Sequence, residues 1–206
     1  MGLIKIKTLV DDATFCEIFH LAVAKAGHGM NFVEVGSFVG GSMCYLGQHL
    51  RFKNIDLNLF AIDNFKFETI STYDLSEVEY YRGNFGNAFK DNIKRCGLDV
   101  NILVGDSIEK SKEFKDKSVD FLFLDGCHSY PYVEDELKAW LPKMKKHSMI
   151  CGHDYNTDAI QKATQNVLGN VFTTSTGQGY YHLIGNGIKR GWYHHYHTAL
   201  KKIGVK

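Results

Sequence analysis

Three observations in the sequence predict an α/β fold built on a doubly wound, mostly parallel sheet. Apolar strand candidates alternate with helix candidates from residue 32 to residue 168. The strand candidates are apolar on both faces, which is typical of parallel strands covered by helices on both sides of the sheet. The last two strand candidates flank Thr176-Gly177-Gln178-Gly179, a hairpin signal that predicts an antiparallel C-terminal pair. The predicted architecture is therefore Rossmann-like.

Periodicity and turn residues place the individual elements. In residues 12–26 apolar side chains recur at helical spacing, and Asp11 or Asp12 precedes them as a cap. A later helix begins near Pro131, because proline is favoured at the first helical position, and it runs through Trp140. The other predicted helices span residues 40–50 and 157–168. The predicted strands span residues 31–35, 57–62, 100–104, 119–124, 147–151, 171–175 and 180–184.

Chain length and composition predict one domain over residues 1–206. The 206 residues include 44% hydrophobic residues and only two prolines, which favours a single buried core without a disordered linker. Residues 64–84 are polar and aromatic without a period, and they follow a strand, so they are predicted to form a lid facing the substrate. Residues 187–206 form a basic, aromatic C-terminal extension. That extension is interpreted either as a contact for phosphate groups or as a solvated terminal helix.

Charge and cysteine usage limit the partners. The net charge of +1 argues against nucleic acid or an anionic membrane as a partner. The N-terminal residues contain no apolar run of the length that a membrane span or signal peptide requires. The five cysteines are dispersed and form no C-x-x-C pair, which predicts a reducing, cytoplasmic compartment. The expected partner is a small molecule, and the sequence leaves a homo-oligomer open.

A glycine-rich turn joins the first predicted strand to the helix that follows, and its polar and glycine residues are Glu34, Gly36, Ser37, Gly40 and Ser42. Glycines permit a tight turn and close approach of a ligand, and the helix N-terminus presents unpaired N–H groups. Glu34, two residues before the first glycine, suits a cationic ligand better than a pyrophosphate. Taken alone, the motif is equally well interpreted as an ordinary strand-to-helix turn.

Carboxylates follow the next two predicted strands. Asp63 ends the second strand, where an acidic residue can accept hydrogen bonds from both ribose hydroxyls of a nucleotide. Asp106 and Ser107 follow the third strand, where a carboxylate can reach an adenine amino group. A helix cap is the simpler interpretation of Asp106, because aspartate is a preferred N-cap residue.

The most specific pattern lies at the ends of the fourth and fifth predicted strands. Asp125 and His128 follow the fourth strand, and His153 and Asp154 follow the fifth. Neighbouring parallel strands bring these side chains to one edge of the sheet, where two carboxylates repel each other unless a cation lies between them. Oxygen ligands favour magnesium or calcium over zinc. Histidine is a suitable general base, although capping of the loops is an alternative for both histidines.

At these residues the chain resembles the class I S-adenosylmethionine-dependent methyltransferases. It more closely resembles the subgroup of macrolide sugar O-methyltransferases and cephalosporin hydroxylase-like proteins, which share the strand-end pattern D-G-x-H-x-Y, then W and L, then G-H-D-Y. Here the pattern reads as residues 125–130, Trp140-Leu141 and residues 152–155. The resemblance spans about residues 30–185. It departs at His153, where the sugar methyltransferases tend to carry an acidic residue, and at residues 147–148, which replace a usual glycine.

The resemblance implies a role for each of these residues. It places the methionine pocket at the glycine turn, the ribose on Asp63 and the adenine beside Asp106 and Ser107. It implies that a divalent ion, magnesium first, binds Asp125, Asp154 and His153. It implies His128 as the base for the substrate hydroxyl, and Asp125 as a further catalytic and cofactor-binding residue.

The resemblance implies transfer of the S-adenosylmethionine methyl group to a hydroxyl of a small molecule, with a sugar or other vicinal diol expected as the acceptor. Two alternatives stay open at this point. A nicotinamide-dependent oxidoreductase shares the strand–helix pattern and the ribose carboxylate, but the chain lacks G-x-G-x-x-G. A catalytically inactive module that binds S-adenosylmethionine would keep the glycine turn without turnover.

Overall fold

A computed structural model describes residues 3–66 and 83–185 and contains a seven-stranded sheet. The predicted lid (residues 64–84) and C-terminal extension (residues 187–206) lie largely or wholly outside the described residues. The strands, in chain order, are β1 (Asn31–Val35), β2 (Asn58–Asp63), β3 (Asn101–Val104), β4 (Val119–Leu124), β5 (Met144–Gly152), β6 (Phe172–Thr173) and β7 (Tyr180–Leu183).

Helices connect the parallel strands. A short α1 (Asp12–Thr14) continues through a π-helical segment (Phe15–Phe19) into α2 (His20–Lys25). The remaining helices are α3 (Gly41–Phe52), α4 (Phe85–Arg95), α5 (Ser107–Ser111), α6 (Tyr132–Trp140) and α7 (Asp158–Val167), and one 3-10 turn spans Leu141–Lys143. Within the described residues no helix is both long enough and apolar enough to cross a membrane.

The strand order determines where a ligand can bind. The order across the sheet is β3-β2-β1-β4-β5-β7-β6, with β1 parallel to both β2 and β4, and β5 parallel to β4. The chain crosses from one half of the sheet to the other between β1 and β4. In open α/β sheets, ligands bind outside the carboxyl ends of the strands at this switch point.

The core has one apolar layer on each face of the sheet, as β4 illustrates. Phe121 and Phe123 pack in the layer covered by α2, α3 and α4, whereas Leu122 and Leu124 pack in the layer covered by α6 and α7. Successive strand residues point to opposite faces. Both faces are apolar because helices cover both, which confirms the doubly wound sheet that the sequence predicts.

The antiparallel C-terminal pair is also confirmed, because β7 runs antiparallel to both β5 and β6. The predicted start of β5 at His147 is wrong: the strand begins at Met144, and its register against β4 shifts between Val119 and Phe121. Lys146 and His147 are exposed at that irregularity. The first part of β5 therefore lacks the apolar pattern by which a strand is predicted. The helices α4 and α5 were not predicted from the sequence.

Candidate active site

The glycine turn packs directly against the end of β4. Gly36 has a φ of +81°, and a Cβ atom on it would lie 2.2 Å from the carbonyl oxygen of Asp125. Gly40 has a φ of +86° and precedes α3 as its N-cap residue. Both positions require the left-handed backbone that glycine adopts at low cost. The turn therefore brings the start of α3 and the Asp125 strand end to the same edge of the sheet.

Glu34 is a buried carboxylate directly before this turn. Its side chain is buried, at 3% exposure for the residue, and it accepts a hydrogen bond from the Ser42 hydroxyl. Burial raises the pKa of Glu34 to about 8, since the hydroxyls of Ser42 and Ser37 only partly offset that effect and the charges of Asp125 and Asp63 add to it.

Two buried polar atoms at the turn lack partners at hydrogen-bonding geometry among the described residues: Oε2 of Glu34 and Oγ of Ser37. The Ser37 hydroxyl lies close enough to Glu34 to lower its pKa, but not in a hydrogen-bonding arrangement. Buried polar groups are nearly always paired, so unpaired ones call for an explanation such as a missing ligand or water.

Asp63 ties the glycine turn to the loop that follows β2. Its Oδ2 accepts a hydrogen bond from the N–H of Phe38 at 2.8 Å, and its Oδ1 accepts one from the N–H of Phe65 at 2.7 Å. Burial raises the pKa of Asp63, and these backbone bonds oppose the rise. A carboxylate oxygen has two lone pairs, so each oxygen retains capacity for a ligand donor.

Asp106 is the N-cap residue of α5, as the simpler interpretation of the sequence has it. It accepts hydrogen bonds from the N–H of Glu109 at 3.0 Å and from the hydroxyl of Tyr132 at 2.6 Å. Partial burial raises its pKa, but these bonds outweigh that effect and the pKa is lowered overall. Ser107 is buried, and its hydroxyl accepts a hydrogen bond from Nε1 of Trp140 at 2.9 Å in the core.

The ends of β4 and β5 bring the predicted carboxylates and imidazoles together. One ligand atom from each of Asp125, His128 and Asp154 lies within 4.8 Å of the others. Nε2 of His128 is 3.0 Å from Oδ2 of Asp154 and 3.9 Å from Oδ1 of Asp125. Nδ1 of His153 is 3.3 Å and 3.7 Å from the same two oxygens. Both histidines therefore direct a ring nitrogen at the same carboxylate pair.

Mutual charge controls protonation in this cluster. Burial raises the pKa of Asp125, and the charge of Asp154 adds to the rise. Burial also raises the pKa of Asp154, but the bond from His153 and the charges of both histidines outweigh it and lower the pKa overall. Interaction with Asp125, together with the charge of Asp154, raises the pKa of His128 against the effect of burial.

The two histidines differ in exposure and in their remaining contacts. The His128 side chain is 36% exposed, whereas that of His153 is only 6% exposed. Nε2 of His153 lies 3.1 Å from Oδ2 of Asp11, which precedes α1. Burial lowers the pKa of His153, but Asp154, Asp125 and Asp11 together outweigh it and raise the pKa to about 9.

The sequence predicts Asp11 or Asp12 as a helix cap, and the contact between Asp11 and His153 was not predicted. The Asp11 cap is confirmed, since Oδ1 accepts hydrogen bonds from the N–H groups of Ala13 and Thr14. The contact with His153 joins residues 142 positions apart, and no local pattern in the sequence encodes it. Tyr132 was also missed at Asp106, although it lies one residue after Pro131 at the predicted helix start.

The fold and this site define the class: the strand order with a glycine turn after β1 and carboxylates after β2 and β4 is that of a class I methyltransferase. A family model described as "Methyltransferase domain" matches residues 33–155, more than half of the chain. The chain therefore belongs to the methyltransferase family. The membership confirms the recognition made from the sequence and favours methyl transfer over the nicotinamide-dependent alternative.

Solved structures share the fold at low sequence identity. The O-methyltransferase NovP is 16% identical, with a TM-score of 0.62 over 87% of this chain and 82% of that one. A SAM-dependent methyltransferase from Aquifex aeolicus is 17% identical, with a TM-score of 0.55 over 84% of this chain and 94% of that one. A methyltransferase from Geobacter sulfurreducens is 18% identical, with a TM-score of 0.57 over 85% and 79% of the two chains.

One curated relative is similar in sequence over part of the chain. The uncharacterized protein y4gI of Sinorhizobium fredii (strain NBRC 101917 / NGR234) is 26% identical over 122 residues, which are 59% of this chain. The match spans 13% of the length of that protein. It therefore adds no information on the substrate.

Proposed function

We propose that this methyltransferase transfers the methyl group of S-adenosylmethionine to a hydroxyl of a small molecule, assisted by a divalent metal ion. A sugar or another vicinal diol is the proposed acceptor. The observation that carries the proposal is the convergence of Asp125, His128, His153 and Asp154 beside the glycine turn. The fold likeness to the O-methyltransferase NovP supports transfer to oxygen.

The glycine turn fits the methionine part of S-adenosylmethionine. The unpaired Oε2 of Glu34 and Oγ of Ser37 are acceptors for its amino group, and a cationic ligand would favour the ionised form of Glu34, which burial otherwise disfavours. Gly36 and Gly40 supply the left-handed backbone that the turn requires, and Ser42 holds Glu34 in place.

The nucleoside part fits the carboxylates after β2 and β3. Asp63 accepts the ribose hydroxyls with the lone pairs that its backbone bonds leave available. Asp106, with Tyr132 beside it, is proposed for the adenine amino group. The Ser107 hydroxyl accepts a hydrogen bond from Nε1 of Trp140 and so attaches the start of α5, next to Asp106, to the core.

The donor set fits a divalent cation, with magnesium as the first choice. Nδ1 of His153 lies 3.7 Å from an oxygen of Asp125 and 3.3 Å from an oxygen of Asp154, and lone pairs this close repel each other unless a proton or a cation lies between them. Two carboxylates favour a hard cation, and one imidazole also admits manganese. When bound, such an ion lowers the pKa of a coordinated hydroxyl and orients it.

His128 is the proposed base. Its side chain is the more exposed of the two histidines, and its Nε2 is within hydrogen-bonding distance of Asp154, which orients the ring. Nδ1, the ring nitrogen not paired with Asp154, takes the proton of the acceptor hydroxyl as the oxygen attacks the methyl carbon, and the bond from that carbon to sulfur breaks to release S-adenosylhomocysteine. Asp154 stabilises the imidazolium that results, as a carboxylate beside a general base does.

The test measures S-adenosylhomocysteine formed from S-adenosylmethionine with Mg²⁺ and a panel of sugars and vicinal diols. His128→Ala is expected to lower the rate about 10²–10⁴-fold, the usual contribution of a positioned general base. EDTA is expected to abolish turnover, and Mg²⁺ in excess to restore it. His28→Ala, an exposed histidine before β1, is the matched control and should keep the full rate.

Three outcomes would count against the proposal, each against a different part of it. If the His128→Ala variant turns over at the rate of the unsubstituted chain, His128 is not the base. Turnover in EDTA at the full rate removes the metal ion. The absence of S-adenosylhomocysteine with every member of the panel removes the acceptor class, and with tight S-adenosylmethionine binding it would favour the inactive module.

A further inference from the structure

We propose that Asp11 is a positioning residue of the active site, which fixes His153 so that Nδ1 faces the Asp125–Asp154 pair as a metal ligand. The inference rests on the proposed function, because it assigns His153 to the metal ion. Asp11 lies outside residues 33–155, the part of the chain that the family model matches. The N-terminal segment thus supplies a part of the site that family membership alone does not describe.

The contacts of Asp11 divide between its two oxygens. Oδ1 accepts the N–H groups of Ala13 at 3.0 Å and Thr14 at 3.3 Å, and the hydroxyl of Thr176 at 3.1 Å. Oδ2 accepts the hydroxyl of Thr14 at 2.6 Å and Nε2 of His153 at 3.1 Å. Oδ1 therefore caps the helix, and Oδ2 is the atom through which Asp11 acts on His153.

The bond to Asp11 determines which nitrogen of His153 is available as a ligand. Both oxygens of Asp11 accept hydrogen bonds from N–H or O–H donors of Ala13, Thr14 and Thr176, and a carboxylate can only accept. Nε2 of His153 must then carry the hydrogen. A metal ion bound here would take the place of the proton on the other nitrogen, Nδ1, because a ligating imidazole is neutral. Nδ1 is the nitrogen that faces the carboxylate pair, at 3.3 Å from Asp154 and 3.7 Å from Asp125.

A carboxylate behind a ligating histidine is a general feature of metal sites. The outer carboxylate fixes the tautomer and ring orientation and increases the basicity of the ligating nitrogen. Asp11 satisfies this description because it contacts His153 on the side opposite to Asp125 and Asp154. Asp11 therefore acts on the metal ion through His153, without touching the ion or the substrate.

The helical segment that follows Asp11 holds it rigidly enough for this role. Phe19, in the π-helical part, packs edge-on against Phe123 of β4 with ring centroids 4.9 Å apart. Glu17 accepts hydrogen bonds from the backbone and hydroxyl of Ser175, next to Thr176. The segment is thus attached both to the strand that delivers Asp125 and to the β6–β7 hairpin, and a site residue on such a support is well positioned.

The test compares Mn²⁺ binding by the full chain and two variants, without S-adenosylmethionine or acceptor. Asp11→Asn keeps a good N-cap oxygen for α1 but places an amide, which has no negative charge, opposite Nε2 of His153. Thr14→Val is the matched control, because it removes a neighbouring hydrogen bond to the same Oδ2 and leaves the bond to His153. Free Mn²⁺ is measured by electron paramagnetic resonance, and thermal unfolding is recorded for all three proteins.

Asp11→Asn is expected to weaken Mn²⁺ binding about 10–100-fold, as loss of an outer-shell partner does. Thr14→Val is expected to keep the Mn²⁺ affinity of the unsubstituted chain, whatever its melting temperature. Equal Mn²⁺ affinity in Asp11→Asn and the unsubstituted chain overturns the role of Asp11 alone. An equal loss in both variants also overturns it, because the effect would then be general destabilisation.

Failure of the metal site itself gives a different result. If the unsubstituted chain does not bind Mn²⁺, the metal ion of the proposed function and the role of Asp11 are both overturned. Methyl transfer without a metal ion would then still be measurable in the turnover assay.

Discussion

At the scale of single residues, Glu34 combines a position beside the glycine turn with an unfavourable electrostatic environment. Its carboxylate is buried on β1, one of its oxygens has no hydrogen-bond partner among the described residues, and Asp63 and Asp125 are its negatively charged neighbours. Protonation is the response of such a group when no cation is present. The same features favour binding of a cationic ligand, because the ligand removes the cause of the shift.

The raised pKa of Glu34 predicts a pH-dependent stability of the ligand-free protein. Its pKa rises from an ordinary value of 4.5 to about 8, so between these values the folded chain binds more protons than the unfolded chain. The stabilising contribution is therefore complete below pH 4.5, and it is lost as the pH rises to 8. Glu34→Gln, which stays neutral, should reduce this decline, with a difference on the order of 4–5 kcal/mol at pH 8.

The measurement is urea unfolding of both proteins at pH values from 5 to 9. The free energies of unfolding should diverge as the pH rises, with Glu34→Gln the more stable protein at the alkaline end. Curves that stay parallel over this range would show that Glu34 does not change its protonation there.

At the scale of elements, the glycine turn connects three parts of the site. It ends β1, begins α3, and lies against the Asp125 carbonyl at the end of β4. Gly36 needs the absence of a Cβ both for its backbone angle and for this contact. Gly169, after α7, has a similar φ of +72°, but among the described residues no atom lies within 4 Å of where its Cβ would be. Gly169 therefore has the backbone requirement without the packing requirement.

This difference predicts unequal effects of the same substitution. Gly169→Ala should cost about 1 kcal/mol, from the left-handed backbone alone. Gly36→Ala should cost at least about 2 kcal/mol more, because the added methyl must displace a backbone oxygen at 2.2 Å. Chemical unfolding of both variants measures the difference, and equal stabilities would contradict the packing that the turn displays.

The elements also show which parts of the fold the sequence predicts and which it does not. β1 and β4 were predicted because both faces of each strand are apolar, and the ends of β4 and β5 then place Asp125 beside Asp154. The register shift in β5 and the Asp11–His153 contact were not predicted. Both depend on tertiary pairing between distant segments, at Val119–Phe121 and over 142 residues respectively, and leave no local periodicity.

At the scale of the whole molecule, the ligand site unites the two halves of the sheet. The proposed nucleoside contacts follow β2 and β3, and the proposed metal ligands follow β4 and β5. The glycine turn after β1 lies between them at the switch point. A ligand that contacts both halves stabilises the folded chain as a unit, because unfolding releases it.

Binding of the correct cofactor is therefore expected to raise the melting temperature. At a concentration of 100 times Kd a ligand stabilises by about 2.7 kcal/mol, which corresponds to about 5–11 °C for a chain of this size. S-adenosylmethionine and S-adenosylhomocysteine should each produce such a shift, whereas NAD⁺ at the same concentration should produce none. A shift with NAD⁺ alone would contradict the proposed cofactor.

Two variants locate the site. Asp63→Ala is expected to lose the shift in melting temperature with S-adenosylhomocysteine, and Asp120→Ala, at the opposite edge of the sheet, is expected to keep it. This result would assign the site to the carboxyl ends of the strands.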